Sequence, residues 1–237
     1  MLLLAPVIGS WLGVLVRRWP QGAPVALARS QCTHCAHPLA PADLVPLLSF
    51  AWRRGRCHYC AAPIGWFHPA IELAALAIAA ISLAGGGLGW QPWVNAALGW
   101  ALLCAAWIDF ENFLLPDWIT LPLVLAGLGI TGLMQPPLLY DHAAAAAIGY
   151  LGFRLLDAAY FRLRQRHGLG QGDAKLLAAA GAWLGLAALP WVVLAAGLAG
   201  ILLALALIWR GRQQRQDALP FGPALALAFF AFRLLQG

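Results

Sequence analysis

The sequence predicts an all-α, polytopic membrane protein with about eight transmembrane helices and one small cytoplasmic zinc-knuckle domain. Three observations predict it. Hydrophobic residues make up 62% of the chain and charged residues only 10%, against roughly 25% charged in soluble domains, so polar side chains are too few to clothe a water-exposed surface. Apolar runs close to the length of a bilayer span recur along the chain. Lys and Arg fall on alternate connections between those runs. Disordered, collagenous, coiled-coil and disulfide-stapled chains are excluded, because Leu and Ala dominate, Gly has no triplet period and Cys totals 5.

Taken in order, the runs lie near 2–16, 70–86, 92–108, 118–134, 143–160, 174–189, 191–208 and 219–235. No positive residue precedes the first run and Arg17 and Arg18 follow it, the reverse of a secretory leader, so it is expected to stay as an anchor. The expected domains are a first transmembrane helix at 1–16, a cytoplasmic four-cysteine domain at 17–68 and a transmembrane domain at 69–237. Thirteen of the 15 basic residues lie on one set of alternating connections, which that asymmetry assigns to the cytoplasm. Both termini are then expected on the opposite side. The net charge of +6 reads as a topology signal and a preference for anionic membrane lipid, not as a nucleic-acid surface. Several of the 12 tryptophans stand near span ends, as interfacial anchors do.

The domain at 17–68 carries two C-x2-C pairs, Cys32–Cys35 and Cys57–Cys60, with 21 residues between them. Four thiolates from two such turns match one tetrahedral structural zinc ion, which closes a segment too short for a core of its own. A set of reduced or redox-active thiols is the other reading; stable disulfides do not suit a segment facing the reducing cytoplasm. His34, His37 and His58 are expected to face solvent, and Cys104 to pack as a small hydrophobe.

Acidic residues near spans require an explanation, because burying a charge is costly. Asp109 ends the run of the third span, and Asp173 opens the sixth within Gly170-Gln171-Gly172-Asp173-Ala174-Lys175. Both fall at cytoplasmic span ends, so they are able to meet, with Gly168, Gly170 and Gly172 permitting a tight turn and close backbone approach. Two carboxyls sharing one proton divide the work of a protease: one activates water while the other polarises a carbonyl. The bland alternative is that Asp109 terminates a span and Asp173 caps a helix. Lys175, two positions on, points away from the Asp173 face and reads equally as a lipid-phosphate anchor or a participant.

These residues resemble the type IV prepilin peptidases, intramembrane aspartic proteases of the G-x-G-D class. The resemblance rests on Ile108-Asp109, Leu115-Pro116-Asp117, Leu121-Pro122, Gly170 to Leu177, and Leu219-Pro220-Phe221-Gly222-Pro223, and the 64 residues separating Asp109 from Asp173 fit it also. It implies that Asp109 and Asp173 are the catalytic pair, within an active-site loop containing Gly170, Gly172 and Lys175. It implies prepilin or pseudopilin substrates whose basic leader is cleaved after a glycine at the cytoplasmic face of a bacterial inner membrane. Gly9-Ser10-Trp11-Leu12, the paired C-x2-C turns, Pro46-Leu47-Leu48-Ser49 and Pro69-Ala70-Ile71-Glu72-Leu73 resemble the bifunctional members, which methylate the new amino terminus with S-adenosylmethionine. Glu72 is the candidate residue for that reaction. The chain departs from the family at Gly13, where Asn is usual, and at Phe67 and His68, where a basic residue and Tyr are usual; these changes remove polar groups near the methyl-transfer region, so a peptidase without methyl transfer is the alternative reading. Asp117 reads as a helix cap after Pro116, and Glu111 and Asp157 have no motif behind them. A proton-coupled transporter also uses paired membrane carboxylates, but it does not predict the two separated motifs.

Overall fold

In lipid a backbone must satisfy its own polar groups, which leaves Leu- and Ala-rich runs the helix as their solution. Each of the eight apolar runs contains one in the computed structural model, which describes residues 1–25, 29–86, 89–166, 168–209 and 220–236. The long helices are α1 (Ala5–Arg18), α3 (Phe67–Gly86), α4 (Gln91–Asn112), α5 (Asp117–Met134), α6 (Leu139–Arg164), α7 (Gln171–Leu184), α8 (Leu189–Trp209) and α9 (Gly222–Gln236), and α2 (Leu48–Trp52) is a short helix among the cysteines. Among the described residues four stretches, Phe67–Gly85, Gln91–Asn112, Asp117–Met134 and Leu186–Ala206, are long and apolar enough to cross a membrane. The basic connection with Arg210, Arg212 and Arg215, and Leu219 of the last motif, lie outside the described residues.

The chain forms two compact units, Met1–Cys104 and Ala105–Gly237. In the first, α1 packs along α3. A Cβ on Gly9 would stand 2.7 Å from the Glu72 Cα, so only glycine permits the two backbones to approach this closely. Trp100 Nε1 donates to the Ala75 carbonyl at 2.9 Å and fixes the α4 portion of this unit against α3. Among the described residues of the cysteine segment only Cys57 is buried. The segment's two turns repeat one design: Cys32 N–H bonds the His37 carbonyl and Cys57 N–H the Ala62 carbonyl, while Ala36 and Ala61 close the turns at φ 55° and 56°.

In the second unit α7 is the core helix, packed by α5, α6, α8 and α9; Asp173, Ala174 and every residue from Leu176 to Leu184 are buried. Ala at 174, 178, 179, 180 and 182 and Gly181 supply the small side chains that let neighbouring helices close on it. Trp183 Nε1 donates to the Leu123 carbonyl of α5 at 2.7 Å. The first turn of α6 serves the end of α7: His142 Nδ1 lies 3.0 Å from the Ala182 carbonyl and Asp141 accepts the Leu186 N–H at 3.0 Å, so groups that a helix end leaves unsatisfied find partners.

Candidate active site

Asp109 lies in the last turn of α4 and Asp173 in the first turn of α7, and both are buried, at 6% and 7% exposure. Each carboxylate meets the amino-terminal end of a helix, where backbone N–H groups lack intrahelical partners. Gly222, the first residue of α9, donates its N–H to Asp109 Oδ2 at 3.0 Å. A Cβ on Gly222 would stand 2.6 Å from that oxygen, so the contact requires glycine. Gly170 donates its N–H to Asp173 Oδ2 at 3.2 Å, and Asp173 N–H returns a bond to the Gly170 carbonyl. Asp173 Oδ1 is buried and makes no hydrogen bond among the described residues. Asp109 stands at the start of α9 and Asp173 at the start of α7, two helices that pack against each other. Asp173 thus caps α7, as the bland reading expects, and it shares its unit with the buried Asp109.

The glycines before Asp173 serve close approach. Gly170 is extended at φ −69°, and a Cβ on Gly172 would stand 2.5 Å from the Leu115 Cβ. Gly170 lies in the connection, whereas Gly172 and Lys175 are already helical, because α7 begins at Gln171. Lys175 pairs with Asp117 across α5 and α7. That pairing replaces the capping expected of Asp117, whose helix has Pro116 at its cap and no side-chain capping bond. Asp157 carries weight that no motif signalled: its buried Oδ1 accepts the N–H groups of Gly168 at 2.9 Å and Leu169 at 3.2 Å. The α6 helix thereby holds the connection that leads into Asp173. Glu111 accepts from Trp107 Nε1 one turn back and is exposed.

In the first unit the Sγ atoms of Cys32, Cys35, Cys57 and Cys60 lie within 4.8 Å of one another, with Cys32 and Cys60 3.9 Å apart. A tetrahedral zinc site with bonds of about 2.3 Å sets its sulfurs roughly 3.8 Å apart, so the donor set fits that ion. All four are free thiols. Backbone N–H groups of Cys35 and His34 lower the Cys32 thiol to about 6. The Ala62 N–H favours the Cys60 thiolate, yet burial and the thiols of Cys57, Cys35 and Cys32 outweigh it and push Cys60 up to about 12. Four thiolates at this spacing thus call for a cation among them. His34, His37 and His58 are exposed, as expected, and Cys104 is buried.

Beside the cysteines is a cavity of about 590 Å³ lined by α1, α2, the two turns and the start of α3. Glu72 is buried in its wall; its Oε2 accepts the Leu47 N–H at 2.9 Å, and the Ser10 hydroxyl bonds the same carboxylate. The three positions that depart from the family meet here. A Cβ on Gly13 would stand 3.2 Å from His68 Nδ1 and 3.5 Å from the Phe67 ring, and the Arg17 guanidinium lies 4.0 Å over that ring.

Residues 3–84 match the family model described as Bacterial Peptidase A24 N-terminal domain, and residues 96–205 the model described as Type IV leader peptidase family. A Burkholderia pseudomallei (strain 1026b) protein named prepilin leader peptidase/N-methyltransferase is 40% identical over 95% of this chain and 81% of its own. Proteins of the same name from Aeromonas hydrophila and Dickeya chrysanthemi are 42% and 40% identical, over 84% and 96% of this chain and 69% and 89% of theirs. No solved structure matches the chain.

Proposed function

The chain belongs to the type IV leader peptidase family, and we propose that it removes the leader from prepilins with the Asp109–Asp173 pair and methylates the amino terminus so released. Relatives at 40% and 42% identity carry both activities in their name. The observation that carries the catalytic assignment is Asp173 Oδ1, a buried carboxylate oxygen without a hydrogen-bond partner among the described residues, in the same unit as a second buried carboxylate. Such an atom costs stability in a purely structural site and is what a water-activating site requires.

One carboxylate of the pair takes a proton from water, whose oxygen attacks the scissile carbonyl, while the other, protonated, donates to the carbonyl oxygen. The tetrahedral intermediate then breaks its C–N bond as the amine leaves with a proton from the pair. Gly222 and Gly170 N–H groups hold one oxygen of each carboxylate and leave the other for this work. The substrates are prepilins or pseudopilins with a cytoplasmic basic leader and a helix in the bilayer. The eight long helices cross the inner membrane, with the pair at its cytoplasmic face, as the distribution of Arg and Lys supports.

Cys32, Cys35, Cys57 and Cys60 hold one structural zinc ion. S-adenosylmethionine supplies an electrophilic sulfonium methyl group, and the cavity has the size and lining for it, being within the range of ligand pockets. Glu72 and Asp43 offer carboxylates to its cationic and hydroxyl groups, Arg18 and Arg53 offer guanidinium to its carboxylate, and Phe50 offers a face for its base. The accepting amine must be neutral to react.

Asp109→Asn and Asp173→Asn, each reconstituted with a prepilin, are expected to slow cleavage by about 100- to 10,000-fold while leaving methylation of an already cleaved pilin intact. Cleavage by either variant at the unaltered rate overturns the assignment.

A further inference from the structure

Helix α2 turns one side to the cavity through Ser49, Phe50 and Arg53. Leu48 and Trp52, four apart and so on one face, stand on the other, 70% and 90% exposed. The surroundings fix the level of this face relative to a bilayer. Helix α3 is long and apolar enough to cross a membrane, and its exposed residues recur at helical spacing, Leu73, Ala77, Ile81 and Ala84. Trp66 extends that stripe by two turns; it is 75% exposed, and its carbonyl already accepts the Ala70 N–H of α3. A Trp at the head of a lipid-facing stripe marks the bilayer interface.

Two contacts tie α2 to this level. Phe50 packs on Trp66 with ring centroids 5.3 Å apart. The Leu47 N–H, immediately before α2, bonds Glu72 at 2.9 Å, five residues into α3 or about 8 Å along its axis. The face carrying Leu48 and Trp52 therefore stands beside the first turns of the span and not above them. The charge around it is predominantly positive. Segment 17–68 holds six arginines and a single acid, Asp43, which pairs with Arg53; Arg54 and Arg56 are exposed just past α2.

We propose that α2 docks into an anionic phospholipid monolayer beside α3, with Leu48 and Trp52 in the acyl boundary and Arg54 and Arg56 on the lipid headgroups. Apolar side chains flanked by arginine are the composition of interfacial helices, and juxtamembrane arginines draw acidic lipid. This inference requires that α3 span the bilayer and is independent of the catalytic assignments.

The test uses the full chain labelled with 5-fluorotryptophan in nanodiscs of mixed phosphatidylglycerol and phosphatidylcholine. Trp52→Phe and Trp66→Phe identify two fluorine resonances by their loss. Expected is loss of the Trp52 signal on adding nitroxide-labelled lipid and its survival with a water-soluble gadolinium chelate. The same signal is expected to become sensitive to the chelate in phosphatidylcholine alone, or with Arg54→Gln and Arg56→Gln together. Loss to the chelate in the mixed discs overturns the proposal. So does survival with both agents, which would mean that a second copy covers the face, and so does indifference to lipid charge and to the arginine variants.

Discussion

The Asp109 carboxylate is held by one backbone N–H, from a residue with no side chain in the way, and this makes Gly222 the sharpest single-site test of the geometry. In Gly222→Ala the new methyl would stand 2.6 Å from Oδ2, so the carboxylate must move; a displacement near 1 Å costs on the order of 100-fold in rate. Initial rates of prepilin cleavage are expected to fall by about that factor, with helical content by circular dichroism unchanged. Lys175 gives the opposite expectation. Its partner Asp117 is largely exposed, and an exposed ion pair contributes at most ~1 kcal/mol. Lys175→Met should therefore leave thermal stability within that margin and keep cleavage. A large loss of cleavage in this variant would return Lys175 to the chemistry.

Among the elements, the connection before α7 and the α1–α3 contact carry the sites. Asp157→Ala removes the acceptor for the Gly168 and Leu169 N–H groups, and a donor left unsatisfied costs about 1–3 kcal/mol. Calorimetry on the purified variant should show that loss, and cleavage should slow with it because α7 starts from a looser approach. In the other unit, Gly9→Leu drives a side chain into the Glu72 backbone; overpacking of this kind costs about 1–3 kcal/mol, and methyl transfer is expected to fall further than cleavage. The helices were legible because span length and composition suffice to define them, and the four cysteines because their spacing is itself the turn geometry. Gly170 and Gly172 were legible as close-approach positions, but which neighbour they approach was not. Asp157 had no local signature at all, since its role exists only when α6 stands beside a connection eleven residues on. The short helix α2 is too brief for any periodicity to reveal.

Across the whole molecule the division at Cys104 sets the two proposed chemistries on different parts of the chain. The four-cysteine turns and the Glu72 cavity belong to the first, Asp109 and Asp173 to the second. Stripping metal with a zinc chelator, or Cys57→Ser, should therefore abolish incorporation of labelled methyl groups while leader removal persists; equal loss of both activities would mean that the ion supports the entire fold. The paired acids were legible as a motif, whereas the donor that orients one of them was not, because Gly222 follows Asp109 by 113 residues. That distance has a bearing on biogenesis. The ribosome must synthesise a further 113 residues before Asp109 gains its backbone donor, so on the proposed assignment a nascent polypeptide already threaded into lipid lacks that orienting contact. On the proposed assignment, translation that aborts upstream of residue 222 is expected to leave a fragment that does not cleave prepilin.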